Sequence, residues 1–198
     1  MAIREPDILS CDDWGAQPAT SRLVVNMWKA TGIVIHHTAT DNTSDKSKGQ
    51  AIRLARSIQQ DHMRNRKWGD SGQHFTISRG GFILEGRHGS LEALEAGISM
   101  ISGAHTEGGP GQGHRLYNDA FIGIENEGNY ELDTPPQELF DSLKDLCTFI
   151  CAQYGISVLK IMGHKILNDT ACPGKNLFAQ LSALRGEVSS RLRAEPGR

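Results

Sequence analysis

The sequence predicts an α/β fold, a single domain built on one main sheet. The runs TGIVIHHT (Thr31 to Thr38) and FIGIENEG (Phe121 to Gly128) are short, apolar and β-branched, the pattern of buried strands. Segments of helical period alternate with such runs. The length, 198 residues, suits one core, since single domains close within ~100–200 residues.

The elements follow in order. Thr31–Thr38 reads as a strand, bounded by Gly32 and polar residues. From Ser44 to Arg66 the pattern is helical, with Ile52, Ala55, Ile58 and Met63 as a rough apolar stripe. Its basic residues (Lys46, Lys48, Arg53, Arg56, Arg64 and Arg66) read as a solvated helix face rather than a binding patch. Two β-type runs between Gln73 and Arg87 flank Gly80-Gly81, which predicts a tight hairpin. Ser102 to His114 is glycine-rich and reads as a surface loop. After the strand at Phe121–Gly128, Thr134-Pro135-Pro136-Gln137 offers an N-cap with glutamine three residues on. Leu139, Leu143, Leu146, Cys147, Ile150 and Tyr154 form the next helix's buried stripe, and Gly155 is its expected stop. A short strand near Lys160 to Met162 leads into Gly163-His164. The last helix starts near Asn176 and buries Leu177, Leu181, Leu184, Val188 and Leu192.

Composition excludes several classes. A 38% hydrophobic share and a mean hydropathy of −0.39 leave no stretch near the ~20 apolar residues of a membrane span. A net charge of −2 argues against charge-driven nucleic-acid binding. Four cysteines in a chain of this length do not make a disulfide scaffold. Cys147 and Cys151 read as small buried apolar residues, and Cys11 has no evident partner. The opening residues lack the basic and apolar regions of a secretory signal, so synthesis in the cytosol is expected. Of 22 glycines, 14 fall between Gly69 and Gly128, where turns and close approach to a ligand favour a missing Cβ.

Metal chemistry is suggested at His164 and Cys172, separated by seven residues and followed by Pro173-Gly174, as in a loop that leaves a strand and returns to one ion. A third ligand would be His36 or His37, of which only one faces a given side of the strand. The alternative is a core histidine bonded to backbone. Glu125 and Glu127 share one strand face, as a general base near a metal or as edge residues facing solvent.

Taken in register, Asp13-Trp14-Gly15-Ala16, IVIHHTAT, IQQDHMRNRKWGDSGQHFTISRGGFILEGR, SGAHT, FIGIENEG and MGHKILNDTACPG resemble the zinc-dependent N-acetylmuramoyl-L-alanine amidases of type two, the superfamily that includes the peptidoglycan recognition proteins. The match spans about Trp14 to Leu184. The resemblance implies a mixed central β-sheet flanked by helices, with a substrate groove over Zn²⁺. One amidase domain is expected over residues 1–198, with its core at about 14–184. His36, His164 and Cys172 match the zinc ligands. Glu125 matches a glutamate with catalytic roles in the recycling-type enzymes; animal members often lack it, which places the chain nearer the bacterial and phage branch. Gln73 stands where phage enzymes carry a catalytic tyrosine and Thr170 where they carry a lysine, so these two are the candidate oxyanion donors.

His105, Asn118 and Lys175 are the candidate substrate contacts, with a structural hydrogen bond as the other reading of His105. His62 and Trp68 match framework positions. His37, His74, His88 and His114 have no assigned chemistry. The expected activity is hydrolysis of the amide between the lactyl group of N-acetylmuramic acid and L-alanine of the stem peptide. A non-catalytic peptidoglycan-binding module and a domain that zinc merely holds together are the rival readings. The expected partner is peptidoglycan or a muropeptide, with no nucleic acid and no membrane, and the expected state is a monomer. The location expected is the cytoplasm, either until release to the cell wall as for phage lysins or as a recycling enzyme.

Overall fold

Strand β1 (Ile8–Leu9) leads into a one-turn helix α1 (Cys11–Trp14), and the computed structural model describes residues 3–107 and 115–194 of the chain. There follow β2 (Val25–Asn26), β3 (Gly32–His37), α2 (Lys48–Arg64), β4 (Phe75–Ile77), β5 (Ile83–Glu85), α3 (Ser90–Ala96), β6 (Met100–Ile101), α4 (Arg115–Asn118), β7 (Phe121–Asn126), α5 (Gln137–Tyr154), β8 (Ile161–Gly163) and α6 (Lys175–Arg193). The six-stranded sheet has the order β1-β5-β4-β7-β3-β8. It is mixed: β4, β7, β3 and β8 run parallel, while β5 returns antiparallel to β4. This is the α/β architecture expected. β2 and β6 form a separate antiparallel pair.

Both faces of the sheet are covered, which is why all six residues of β3 are buried. On one face Ile33, Ile35, Ile122 and Ile124 pack under Leu139, Leu143 and Ile150 of α5 and Leu177, Leu181 and Leu184 of α6. On the other, Ala51 and Ala55 of α2 meet Trp14, Cys11 and Leu84. Period-two alternation then sends Val34 and His36 toward the α2 face and Ile33 and Ile35 toward α5 and α6. The parallel register sets His36 opposite Glu125 on β7, and Thr76 of β4 opposite Glu125 on its other side.

Most expected elements are present, with shifted ends. Helix α2 starts at Lys48, not Ser44, because the Ser47 hydroxyl accepts from Gln50 N and caps it while the Asp45 carboxylate accepts from Ser47 N. Thr134 is not the cap of α5. The helix begins after Pro136, without a side-chain cap, since a residue that precedes proline is barred from helical geometry and Thr134-Pro135-Pro136 has two in succession. Gly155, at φ 73°, ends that helix as expected. Helix α6 starts at Lys175, one residue before the expected Asn176. The loop expected over Ser102–His114 is irregular as far as residue 107; the rest of it, His114 included, lies outside the described residues. Cys147 and Cys151 are buried in the core, and all four cysteines are free thiols. Among the described residues no helix is long and apolar enough to cross a membrane.

Candidate metal centre and active site

The carboxyl ends of β3 and β8 open onto a cavity of about 430 Å³ lined by His36, Glu125, His164, Thr170 and Cys172. Crevices at strand carboxyl ends are where open α/β sheets place ligands. His36 comes from β3, His164 from the turn directly after β8, and Cys172 from the loop that follows. One ligand atom from each of the three lies within 4.8 Å of the others, and among the described residues they are the one such group. A larger cleft, about 670 Å³, lies between residues 3–7 and helices α5 and α6, but no ligand group of this kind lines it. Size alone does not mark the site.

The donor set fits zinc. Tetrahedral Zn²⁺ with ordinary Zn–N and Zn–S bonds holds nitrogen and sulfur about 3.5 Å apart, and His36 Nδ1 lies 3.6 Å from Cys172 Sγ. Three protein ligands leave the fourth position open to the cavity, as in catalytic sites. His37 is excluded as a ligand: its Nδ1 accepts from Tyr130 N at 3.1 Å on the other face of the strand. Its backbone N–H instead donates to Cys172 Sγ at 3.4 Å, ready to steady a thiolate. Burial pushes the Cys172 thiol up to about 12 in the metal-free chain, with Glu125 adding to it and the His37 N–H opposing. Metal binding therefore has to displace that proton.

Glu125 shares the cavity. Burial raises its carboxyl to about 7, against an opposing pull from the Arg66 guanidinium. Between the ordinary value of 4.5 and 7, the native chain thus binds a proton that the unfolded chain has released, so this group makes stability fall as pH rises through that window. Glu125→Gln is expected to stabilise the chelator-stripped protein by about 2 kcal/mol at pH 8, less than the full shift because the cavity is open to solvent. The gain should vanish near pH 4.5. Urea melts at both pH values check this; equal stability at pH 8 would contradict it.

The profile of N-acetylmuramoyl-L-alanine amidases (Amidase_2) matches residues 27–175, which include all three ligand candidates and Glu125. The chain belongs to this amidase family. Peptidoglycan-recognition protein LB of Drosophila melanogaster is 31% identical over 177 residues, 89% of this chain and 68% of that protein. The structure of a Drosophila PGRP-LB mutant in complex with tracheal cytotoxin is similar with a TM-score of 0.74 and 30% identity, covering 89% of this chain and 93% of that one. The N-acetylmuramoyl-L-alanine amidase LysC from Clostridium intestinale is similar with a TM-score of 0.67 and 25% identity, covering 90% and 97%.

Within this amidase fold the other expected residues are unevenly placed. Thr170 lines the cavity, and its hydroxyl oxygen accepts from Cys172 N at 3.2 Å, which leaves the hydroxyl hydrogen to donate. Gln73 also borders the cavity but is buried, and its amide N–H already donates to Thr76 Oγ1. His105 lines the cavity, yet both of its ring nitrogens are engaged by protein atoms. Asn118 is buried and is not among the described cavity residues; its amide oxygen accepts from the backbone N–H of His105 and Thr106. Lys175 is exposed at the start of α6, where its backbone N–H donates to Glu131, and it is not among the described cavity residues. His62, Arg66 and Trp68 do line the cavity, although sequence reasoning gave them framework or solvent-facing roles. Arg66 lies two residues beyond the end of α2, so helical spacing gave no signal that it shares the cavity with His62.

Proposed function

We propose that the chain is a zinc-dependent N-acetylmuramoyl-L-alanine amidase that cleaves the amide between the lactyl group of N-acetylmuramic acid and L-alanine of the stem peptide. The observation that supports this best is the coincidence of a three-ligand N, N, S set with a free carboxylate on the neighbouring strand. A structural zinc site has four protein ligands and needs no such base.

His36, His164 and Cys172 would hold the ion. When bound, zinc supplies the Lewis acidity that polarises the scissile carbonyl and acidifies water. Glu125, opposite His36 on the neighbouring strand, takes the proton of the attacking water and returns it to the leaving L-alanine nitrogen. Thr170 donates its hydroxyl to the developing oxyanion, the better placed of the two expected donors since Gln73 is tied to Thr76. Arg66 at the rim offers a guanidinium to a carboxylate of the peptide. The similarity to a complex with tracheal cytotoxin, a monomeric diaminopimelic acid-type peptidoglycan, supports a muropeptide as the substrate.

Digestion of soluble muropeptides, read by mass spectrometry, tests the reading. The expected products are a stem peptide with a free L-alanine amine and a glycan with a free lactyl carboxylate. Saturable binding with no new mass would make the chain a recognition module instead.

A further inference from the structure

Two hydrogen-bond chains outside the ligand set converge on the metal centre, and both end on one short strip, His105 to Glu107. The first can be read atom by atom. Phe121 O only accepts, so His105 Nε2, 3.0 Å away, carries the proton. In the neutral imidazole the lone pair is then on Nδ1, the atom that faces His36 Nε2. His36 Nε2 lies 3.1 Å from that lone pair and is therefore the donor. The lone pair of His36 is left on Nδ1, the atom facing Cys172 Sγ.

The second chain works in the same way. Asn168 Nδ2 donates to Glu107 O at 2.6 Å, which fixes its amide so that Oδ1 is the acceptor. His164 Nε2 must then donate to Asn168 Oδ1, at 2.8 Å, and its lone pair also falls on Nδ1.

The strip is built to hold this arrangement. A Cβ on Gly123 would lie 2.5 Å from His105 Cγ, and one on Gly103 would lie 2.6 Å from His105 Cδ2, so the ring occupies a slot that exists because both residues are glycine. Asn118 clamps the backbone, accepting from His105 N and Thr106 N and donating to Thr106 O.

We propose that the strip His105–Glu107 presets both imidazoles for metal, His105 acting on His36 and Asn168 relaying from Glu107 to His164, so that His105 and Asn168 are positioning residues rather than substrate contacts. This rests on the zinc reading given above. An unset imidazole has to change tautomer and orientation before it binds, and loss of such outer partners lowers metal affinity by about 10–100-fold.

Two measurements test it. In metal-free protein, long-range proton–nitrogen NMR of the imidazoles is expected to find the proton on Nε2 in both His36 and His164. A proton on Nδ1 of either would overturn the proposal. Zinc affinity, by competition with a chromophoric chelator, is expected to weaken about 10–100-fold in His105→Phe, which keeps a ring in the glycine slot, and in Asn168→Leu. Asn168 lies outside the core, so its variant keeps the test alive if His105→Phe does not fold. A wild-type chain that takes up no zinc refutes the metal reading itself. Zinc bound by the wild type and equally well by a folded Asn168→Leu variant refutes only the preset.

Discussion

Glu125→Gln is expected to slow stem-peptide release by about 10²–10⁴-fold while zinc content stays at that of the wild type. Glutamine keeps the size and the polar end but can neither take a proton from water nor give one to the leaving nitrogen. The carboxylate is no metal ligand in this arrangement, since it stands outside the His36, His164 and Cys172 group, so the metal should survive the change. Binding of uncleaved muropeptide should survive it too. The decisive comparison is single-turnover release against bound zinc in one preparation. A variant that keeps wild-type turnover would remove Glu125 from the chemistry, and one that loses zinc would make it a ligand.

Cys172→Ala is expected to leave the protein folded, to remove stoichiometric zinc and to abolish hydrolysis. The thiolate is the one ligand that supplies negative charge, and without it two neutral imidazoles hold the ion poorly. The fold should persist because the main core, built on Leu139, Leu143, Leu181 and Leu184 against the central strands, lies across the sheet from the metal site. Metal analysis and circular dichroism together check this: unfolding on loss of zinc would make the centre structural, and retained zinc would exclude Cys172 as a ligand. Chelation of the wild type should mimic the variant, with the difference that added zinc restores activity.

Much of this site was legible in the sequence, for identifiable reasons. His36 at a strand end, and His164 and Cys172 flanking a loop, are residue types with few uses other than metal binding when they meet. The order of motifs around them pointed to the same three residues. The strands were legible because β3 and β7 are covered on both faces and are therefore apolar over their first four residues, GIVI and FIGI. The short elements α1, β2, β6 and α4, of two to four residues, were not, since so few residues carry no period.

What the histidines do was less accessible. His105 and His36 are 69 positions apart, and the proton each carries depends on Phe121 O, a backbone atom that no side-chain pattern records. Asn168, four positions beyond His164, carries no sequence signal of its own, since its part depends on two partners, His164 Nε2 and Glu107 O. Arg66 looked solvated because more than half of its side chain is, even though it reaches the cavity rim.

The register of β3 on β7 acts as a ruler between metal and base. His36 and Glu125 stand on adjacent strands at the same level, so their backbones are held apart by the strand spacing, about 4.8 Å, and no loop can stretch it. A slip of one residue would not loosen that pair by degrees. It would bring Ile124 or Asn126 opposite His36 and turn the carboxylate to the other face of the sheet. The pairing of metal ligand and base is therefore set in whole-residue steps, whereas the surrounding loops are free to vary around it. Changes of substrate preference in this fold should accordingly accumulate at the rim, around Arg66 and Trp68, and leave the inner pair alone.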